Sequence, residues 1–358
     1  MADALSRRGL GVRLFLIGQH PLAADDYGLS AFPFVDLGCC GGGDPQQHVR
    51  AVVGALGAIL RHQLPDMVVV QGDTSSALGG ALAAAVVGIP VAHVEAGLRS
   101  HDRLHPWPEE DFRIAIDEQA QLLFAPTALG AANLRRERVT GEIHVTGNTA
   151  MDAIKAPPRA RKRSDTRRIL VTCHRRESWA EGLRSVASAL CRIAAEGLAE
   201  IDVLLHPNPM AAQPMIHSLG SQRGIRLRPP CSHVEMLSLM AGCDLLLSDS
   251  GGIQEEAPVL GIPLLVLRDR TERPEAVASG NAVLVGTDFD MIVATVRRLL
   301  SDPSSLAAMA RPAWPFGTPR ASDRIAEIVA HWIADRSGPV ARQPCALASR
   351  AAARTASA

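Results

Sequence analysis

Short apolar runs recur along this chain, and each hands over to a polar or glycine-rich turn and then to a stretch with helical periodicity. In the first half the runs are 12–17, 67–71, 90–94, 122–125 and 143–146. In the second half they are 168–172, 201–205, 225–227, 245–247, 263–267 and 282–285. Runs this short, apolar at nearly every position, fit strands buried on both faces. A parallel sheet with helices on either side provides that environment. The expected fold class is therefore α/β, with two doubly wound Rossmann-like domains facing a cleft. Residues 1–155 form the expected N-terminal domain and 156–168, basic and proline-containing, a linker. Residues 169–320 form the C-terminal domain and 321–336 a last helix. The Ala/Ser/Arg-rich remainder, 337–358, lacks periodicity and is expected to be disordered.

Composition narrows the partners. Lys plus Arg and Asp plus Glu balance at 37 each, so net charge gives no reason to expect nucleic acid or an anionic membrane. Only one Tyr is present, which argues against an aromatic-lined nucleic-acid surface. Seven scattered cysteines, without paired metal spacing, suit a reducing compartment and a cytoplasmic location. No apolar run is long enough to span a bilayer. Walker, GxGxxG, GxSxG and HExxH signatures are missing, which weighs against ATPases, dehydrogenases and α/β hydrolases, and no metal-ligand spacing is present.

The most informative stretch is LLLSDSGGIQEEAPVLGIPLLVLRDRTERPE, residues 245–275. A strand runs into Ser250-Gly251-Gly252, and a helix follows. Free backbone N–H groups at the positive end of a helix dipole suit a phosphate. Glu256, about one turn into the helix, could reach a ribose hydroxyl. Arg273, after the next strand, adds a charged fork for a diphosphate. In the first half, Asp73, Glu95 and Glu109 stand at strand ends or in the loops behind them, as acid–base chemistry on one cleft requires. Asp73 equally suits the N-cap of its helix, and Glu109 a first-turn position. His174, followed by Arg175 and Arg176, closes the strand 169–172 and suits an anion; His206 closes another.

Taken together these motifs resemble the UDP-N-acetylglucosamine 2-epimerases, relatives in fold of the GT-B glycosyltransferases. They are Gly72-Asp73-Thr74, HVEAGLRS from His93, PWPEE with Arg113 and Asp117, FAPT from Phe124 and VTGNTAMD from Val145. HRRES from His174, HPNP from His206, SDSGGIQEEAP from Ser248, RDRTERPE from Arg268 and VGTD from Val285 follow in family order. The resemblance implies an isomerase of the non-hydrolysing type, working without cofactor, that epimerises C2 of UDP-GlcNAc by elimination and re-addition of UDP. The product, UDP-ManNAc, supplies surface polysaccharide. It also implies a homodimer. By the same resemblance Asp73, Glu95, Glu109 and His174 are catalytic. Ser250, Gly251, Gly252, Glu256, Arg273 and Met236 bind UDP, with Met236 where an aromatic near the uracil is common. Gln19, Arg175 and His206, together with Glu109, match positions of an activator site.

Family members open on a strand and a loop reading roughly GTRPE. No such segment stands ahead of residue 12, so the first sheet is expected to lack a central strand and to carry open edges. Two other readings stay open on sequence alone. One is a hydrolysing relative releasing ManNAc and UDP. The other is a truncated, non-catalytic nucleotide-sugar-binding member.

Overall fold

The structure, a computed structural model, describes residues 1–19, 28–41, 43–154, 166–173 and 181–336. The first half begins with α1 (Ala2–Arg7), β1 (Leu14–Leu16), β2 (Phe34–Asp36) and α2 (Pro45–Leu60). It continues through β3 (Val68–Gln71), α3 (Ser75–Val86), β4 (Val91–Val94) and α4 (Glu109–Gln119). It closes on β5 (Leu122–Ala125), α5 (Ala128–Glu137) and β6 (Glu142–Val145). The second half alternates from β7 (Arg168–Thr172) through α6 (Glu181–Ala195), β8 (Glu200–Leu204), α7 (Pro209–Leu219) and β9 (Ile225–Arg228). Then come α8 (His233–Ala241), β10 (Leu245–Ser248), α9 (Gly251–Leu260), β11 (Leu264–Val266), α10 (Pro274–Ala278) and β12 (Ala282–Leu284). The helices α11 (Phe289–Ser301), α12 (Pro303–Met309) and α13 (Ala321–Arg336) complete the order.

Every described strand pairing is parallel. The second sheet has the order β12-β11-β10-β7-β8-β9. Its order reverses between β7 and β10, and ligands of open α/β sheets sit at the carboxyl ends flanking such a switch point. Ser250-Gly251-Gly252 follows β10 there. The two strands are tied at their ends by the Thr172 and Ser248 hydroxyls, 2.7 Å apart in the buried layer. All four residues of β10 are buried, as are those of β4 and β5. Each buried Leu or Val there contributes about 1.5–3 kcal/mol of transfer free energy.

In the first half the described strands divide into a four-stranded sheet, β3-β4-β5-β6, and a separate pair, β1-β2. The strands bordering the break are apolar yet only half-buried at Leu14, Phe15, Leu16, Val68 and Val69. Phe15 nonetheless packs on the core shared by α2, α3 and β4.

The last helix returns to the first half. Ile325, Ala326, Val329 and Trp332 of α13 pack with Ala92, Val94, Leu122 and Phe124, and with Ala4 and Leu5 of α1. Its N-terminus is held by Asp152, whose carboxylate accepts from the amides of Ala321 at 3.0 Å and Ser322 at 2.8 Å. An acid from another segment thus caps the helix start, in addition to Asp323 in its own first turn.

Gly97 shows where the first half tolerates no side chain. Its φ is +80°, and an added Cβ would lie 2.3 Å from the Gly130 carbonyl oxygen. Gly54, exposed on α2, meets nothing within 4 Å. Gly97→Ala is expected to destabilise the protein by more than about 2 kcal/mol in urea unfolding. Gly54→Ala is expected to stabilise it by about 0.5–1 kcal/mol.

Candidate functional site

Asp73 follows β3 and Glu95 follows β4, and these strands are parallel neighbours with Gln71 opposite Val94. Their carboxylates therefore leave the sheet at one level. Gly72 is fixed from both sides: its amide donates to the Val94 carbonyl at 3.0 Å, and its carbonyl faces His93 Nε2 at 2.9 Å. His93 is fully buried, with Nδ1 2.6 Å from Asp117 Oδ1. Burial alone would raise the Asp117 carboxyl, but His93 and Arg99 hold it below the usual carboxylate range. A buried ionic scaffold thus holds the turn that carries Asp73.

Asp73 does not cap α3; Thr74 does, accepting from the Ala77 amide at 3.2 Å. Asp73 Oδ2 instead accepts from Arg113 Nη2 on α4. Arg113 also donates to Glu110, whose carboxylate accepts from the amides of Ser100 and His101. Glu109 stands in the first turn of that helix, one turn before Arg113, half-buried. Glu95 has φ +70°, a strained conformation for a residue with a Cβ. It accepts from Asn148 Nδ2 at 3.3 Å and from Gln71 Nε2 at 3.5 Å.

The second half meets these acids through Arg273. Its guanidinium is buried among Glu255, at 2.6 Å from Nε, Glu272 at Nη1, and Glu95, at 3.5 Å from Nη2. The Glu95 contact joins the two halves. Ser250 is the N-cap of α9 and its side chain makes no cap hydrogen bond, so its own hydroxyl does not occupy the N-terminal amides of that helix. An added Cβ on Gly251 would lie 2.7 Å from Arg273 Nη1. Glycine there lets the guanidinium reach the helix N-terminus. Gly252 is exposed, and Glu256 is buried on the same helix with Oε1 2.6 Å from His233 Nε2. Met236 packs against the core cluster that holds Ile253 and Ala257.

The structure thus sets Asp73 and Glu95 at the ends of neighbouring strands, brings Glu95 to Arg273, and places Gly251 beside that guanidinium; Ser250 and Glu256 stand on the same helix as Gly251. Gln19 contacts the start of α3, its Oε1 facing the Ser76 amide at 3.3 Å. His206 sits in the turn after β8, with Nδ1 accepting from the Asn208 amide at 2.9 Å. His174 and Arg175 lie outside the described residues. Sequence reading had not singled out Arg113, Glu255 or Glu272 as site groups. Two adjacent acids at 255–256 were a signal, but which of them faced Arg273 was not readable. A cavity of about 160 Å3 lined by Gly97, Arg99, Ser100, Thr271, Glu272 and Glu275 also opens between the halves. It is smaller than the ~300 Å3 at which ligand pockets usually begin. Among the described residues no cluster of His, Cys, Asp or Glu is arranged to hold a metal ion.

Comparison with known proteins fits this geometry. The family model described as UDP-N-acetylglucosamine 2-epimerase matches residues 3–330. The chain belongs to the UDP-N-acetylglucosamine 2-epimerase family. The Escherichia coli K12 enzyme of that name is 42% identical over 295 residues, covering 77% of this chain and 78% of the relative. The Neisseria meningitidis UDP-GlcNAc 2-epimerase, solved bound to UDP-GlcNAc, is 30% identical with a TM-score of 0.79. That match covers 89% of this chain and all of that one. The Methanocaldococcus jannaschii epimerase, solved with UDP-GlcNAc and UDP, is 28% identical with a TM-score of 0.75, covering 89% and 100%. The two-domain GT-B-like architecture is therefore that of the epimerase family.

Burial pushes the Glu255 carboxyl up to about 8, with the Arg273 guanidinium opposing and the Glu95 charge adding to the rise. The folded state then holds a proton that the unfolded chain releases near pH 4.5. Stability from this group is present below the unfolded value and is lost as pH rises through the folded one. Urea unfolding between pH 5 and pH 9 is expected to show a falling stability in the wild type. In Glu255→Gln, which cannot ionise, this decline should flatten.

Proposed function

We propose that this chain interconverts UDP-GlcNAc and UDP-ManNAc by elimination and re-addition of UDP. The contact between Glu95 of the first half and Arg273 of the second carries the reading, because it puts a carboxylate beside a group suited to a diphosphate. In the forward direction a carboxylate takes the C2 proton while the C1–O bond breaks. The electron pair leaves with UDP, and 2-acetamidoglucal remains. UDP then returns to C1 and C2 is protonated on the other face.

Each half supplies a share of this chemistry. The open N-terminus of α9 and the Arg273 fork offset charge that builds on the departing diphosphate. Asp73, Glu95 and Glu109 are the proposed proton-handling groups. Two faces of C2 must be served, which one carboxylate in a fixed position does not do. Glu256 takes the ribose hydroxyls, Met236 lies toward the uracil, and His174 is the proposed histidine of the diphosphate side. Gln19, Arg175 and His206 with Glu109 are the proposed activator contacts. Among the described residues no helix is long and apolar enough to cross a membrane. A cytoplasmic homodimer, divided into two domains at 156–168, belongs to the same proposal.

Incubation with UDP-GlcNAc in D2O, followed by proton and phosphorus NMR, tests it. The expected result is UDP-ManNAc carrying deuterium at C2. Absence of both conversion and deuterium uptake, in a chain that binds UDP-GlcNAc, would overturn it. Asp73→Asn and Glu95→Gln are each expected to lower kcat by about 10²–10⁴. UDP affinity, measured calorimetrically, should change far less in either variant.

A further inference from the structure

Glu256 is buried, and one of its oxygens is committed to a partner that no part of the reaction assigns. His233 Nε2 lies 2.6 Å from Glu256 Oε1. His233 is the first residue of α8 and belongs to a different βα unit from Glu256. Its own position is fixed by the helix start. The Ser232 hydroxyl accepts from the Glu235 amide at 3.3 Å, and the Glu235 carboxylate accepts from the Ser232 amide at 2.9 Å. That reciprocal capping box sets the direction in which α8 begins, and with it the base from which the imidazole reaches α9. The His233 side chain is 47% exposed whereas that of Glu256 is 9% exposed. The imidazole therefore closes the solvent side of the carboxylate.

A buried carboxylate without a donor would be free to rotate among hydrogen-bond partners, including the amides of its own helix start. With Oε1 bound to an N–H, rotation about the terminal bond is restricted and Oε2 is left to accept from a ligand. We propose that His233 is a positioning residue for the nucleotide: it orients Glu256 so that the carboxylate grips the ribose hydroxyls of UDP. This rests on the reading of Glu256 as the ribose contact. The imidazole acts through the carboxylate and not on the reacting carbons, so it governs affinity and sugar-hydroxyl discrimination more than turnover.

The other groups near the pair do not substitute for His233. Glu255 lies beside Glu256 in sequence and its carboxylate is engaged by Arg273. Glu235 is held in the capping box by Ser232. Of the groups described around Glu256, His233 is the one that donates to it.

Isothermal titration of the full chain with UDP and with 2′-deoxyuridine 5′-diphosphate tests the proposal. In His233→Ala the affinity for UDP is expected to fall about tenfold, equivalent to 1.4 kcal/mol. Affinity for the deoxy analogue should change little, so the ratio between the two ligands collapses. His233→Gln keeps an N–H donor at similar reach and should restore most of that ratio. Glu256→Gln should lower the ratio as His233→Ala does, and the double variant should lower it no further. With UDP-GlcNAc as substrate, KM should rise in His233→Ala by a larger factor than kcat falls. If His233→Ala binds UDP normally, or loses both ligands equally, the positioning role is overturned and the functional reading stands. If the wild type binds UDP but does not discriminate against the deoxy analogue, the ribose assignment of Glu256 falls, and the role of His233 with it. Failure of the wild type to bind UDP at all would overturn the functional reading as well. His233 is exposed at a helix start, and circular dichroism of each variant separates loss of fold from loss of grip.

Discussion

The Arg273 guanidinium is the contact on which the rest of the site depends. It is buried, and it touches acids from three places: Glu255 on α9, its neighbour Glu272, and Glu95 from the other half. An isolated charge does not survive such burial; the guanidinium stays ionised because these acids surround it. Its position is imposed by several modest features. The Thr271 hydroxyl accepts from the Arg273 amide at 3.0 Å and donates to Gln254 at 2.6 Å, and Gly251 leaves room for the fork. Three carboxylates around one arginine would be an excess of negative charge. The raised pKa of Glu255 relieves it, because that carboxyl keeps its proton near neutrality.

The parallel topology explains why these groups meet at all. In each half the strands point the same way, so every strand end and the loop behind it arrive at one edge of the sheet. The break in strand order between β7 and β10 opens a crevice on one side, and the neighbouring ends of β3 and β4 present two carboxylates on the other. Between them runs a crossover of the chain. Asn148 donates its amide to the Phe316 carbonyl, Asp152 caps α13, and α13 packs on the first sheet. The halves are therefore tied by the same segment that brings Asn148 to Glu95.

Much of this was legible because it depends on local pattern. The alternation of buried strands with helices survives as written in the sequence, and β10 with its Ser-Gly-Gly turn is where the apolar run and the glycines put it. The short elements were not legible. Phe34–Asp36 has only three residues, with Phe34 and Asp36 exposed, so it shows neither a buried run nor a clean alternation. It is absent from the apolar runs of the sequence and forms β2. Pro274–Ala278 is a single turn started by a proline, and periodicity says nothing over so few residues. The assignment of partners was equally hidden. Asp73 suited a helix cap from its position alone, but the adjacent Thr74 takes that role and frees the carboxylate for Arg113. Only the packing of α4 on the sheet makes that choice. Likewise Glu255 and Glu256 are about 100° apart on one helix and face different elements, one meeting Arg273 and the other His233.

The conformation of Glu95 links strain in the first half to the chemistry proposed for it. A left-handed backbone at a residue with a side chain costs roughly 1–2 kcal/mol. It persists because its surroundings leave no alternative: the Ala96 amide is held by the Phe124 carbonyl, and the Gly97 amide donates to Asp117. The same Asp117 engages His93, which in turn faces the Gly72 carbonyl. One buried carboxylate therefore fixes the backbone on both sides of the site, before Asp73 and after Glu95. Relaxing Glu95 to an ordinary extended conformation would turn its side chain away from Arg273 and from Asn148. The strain is the physical reason that a carboxylate at a strand end faces the other half of the molecule instead of the solvent.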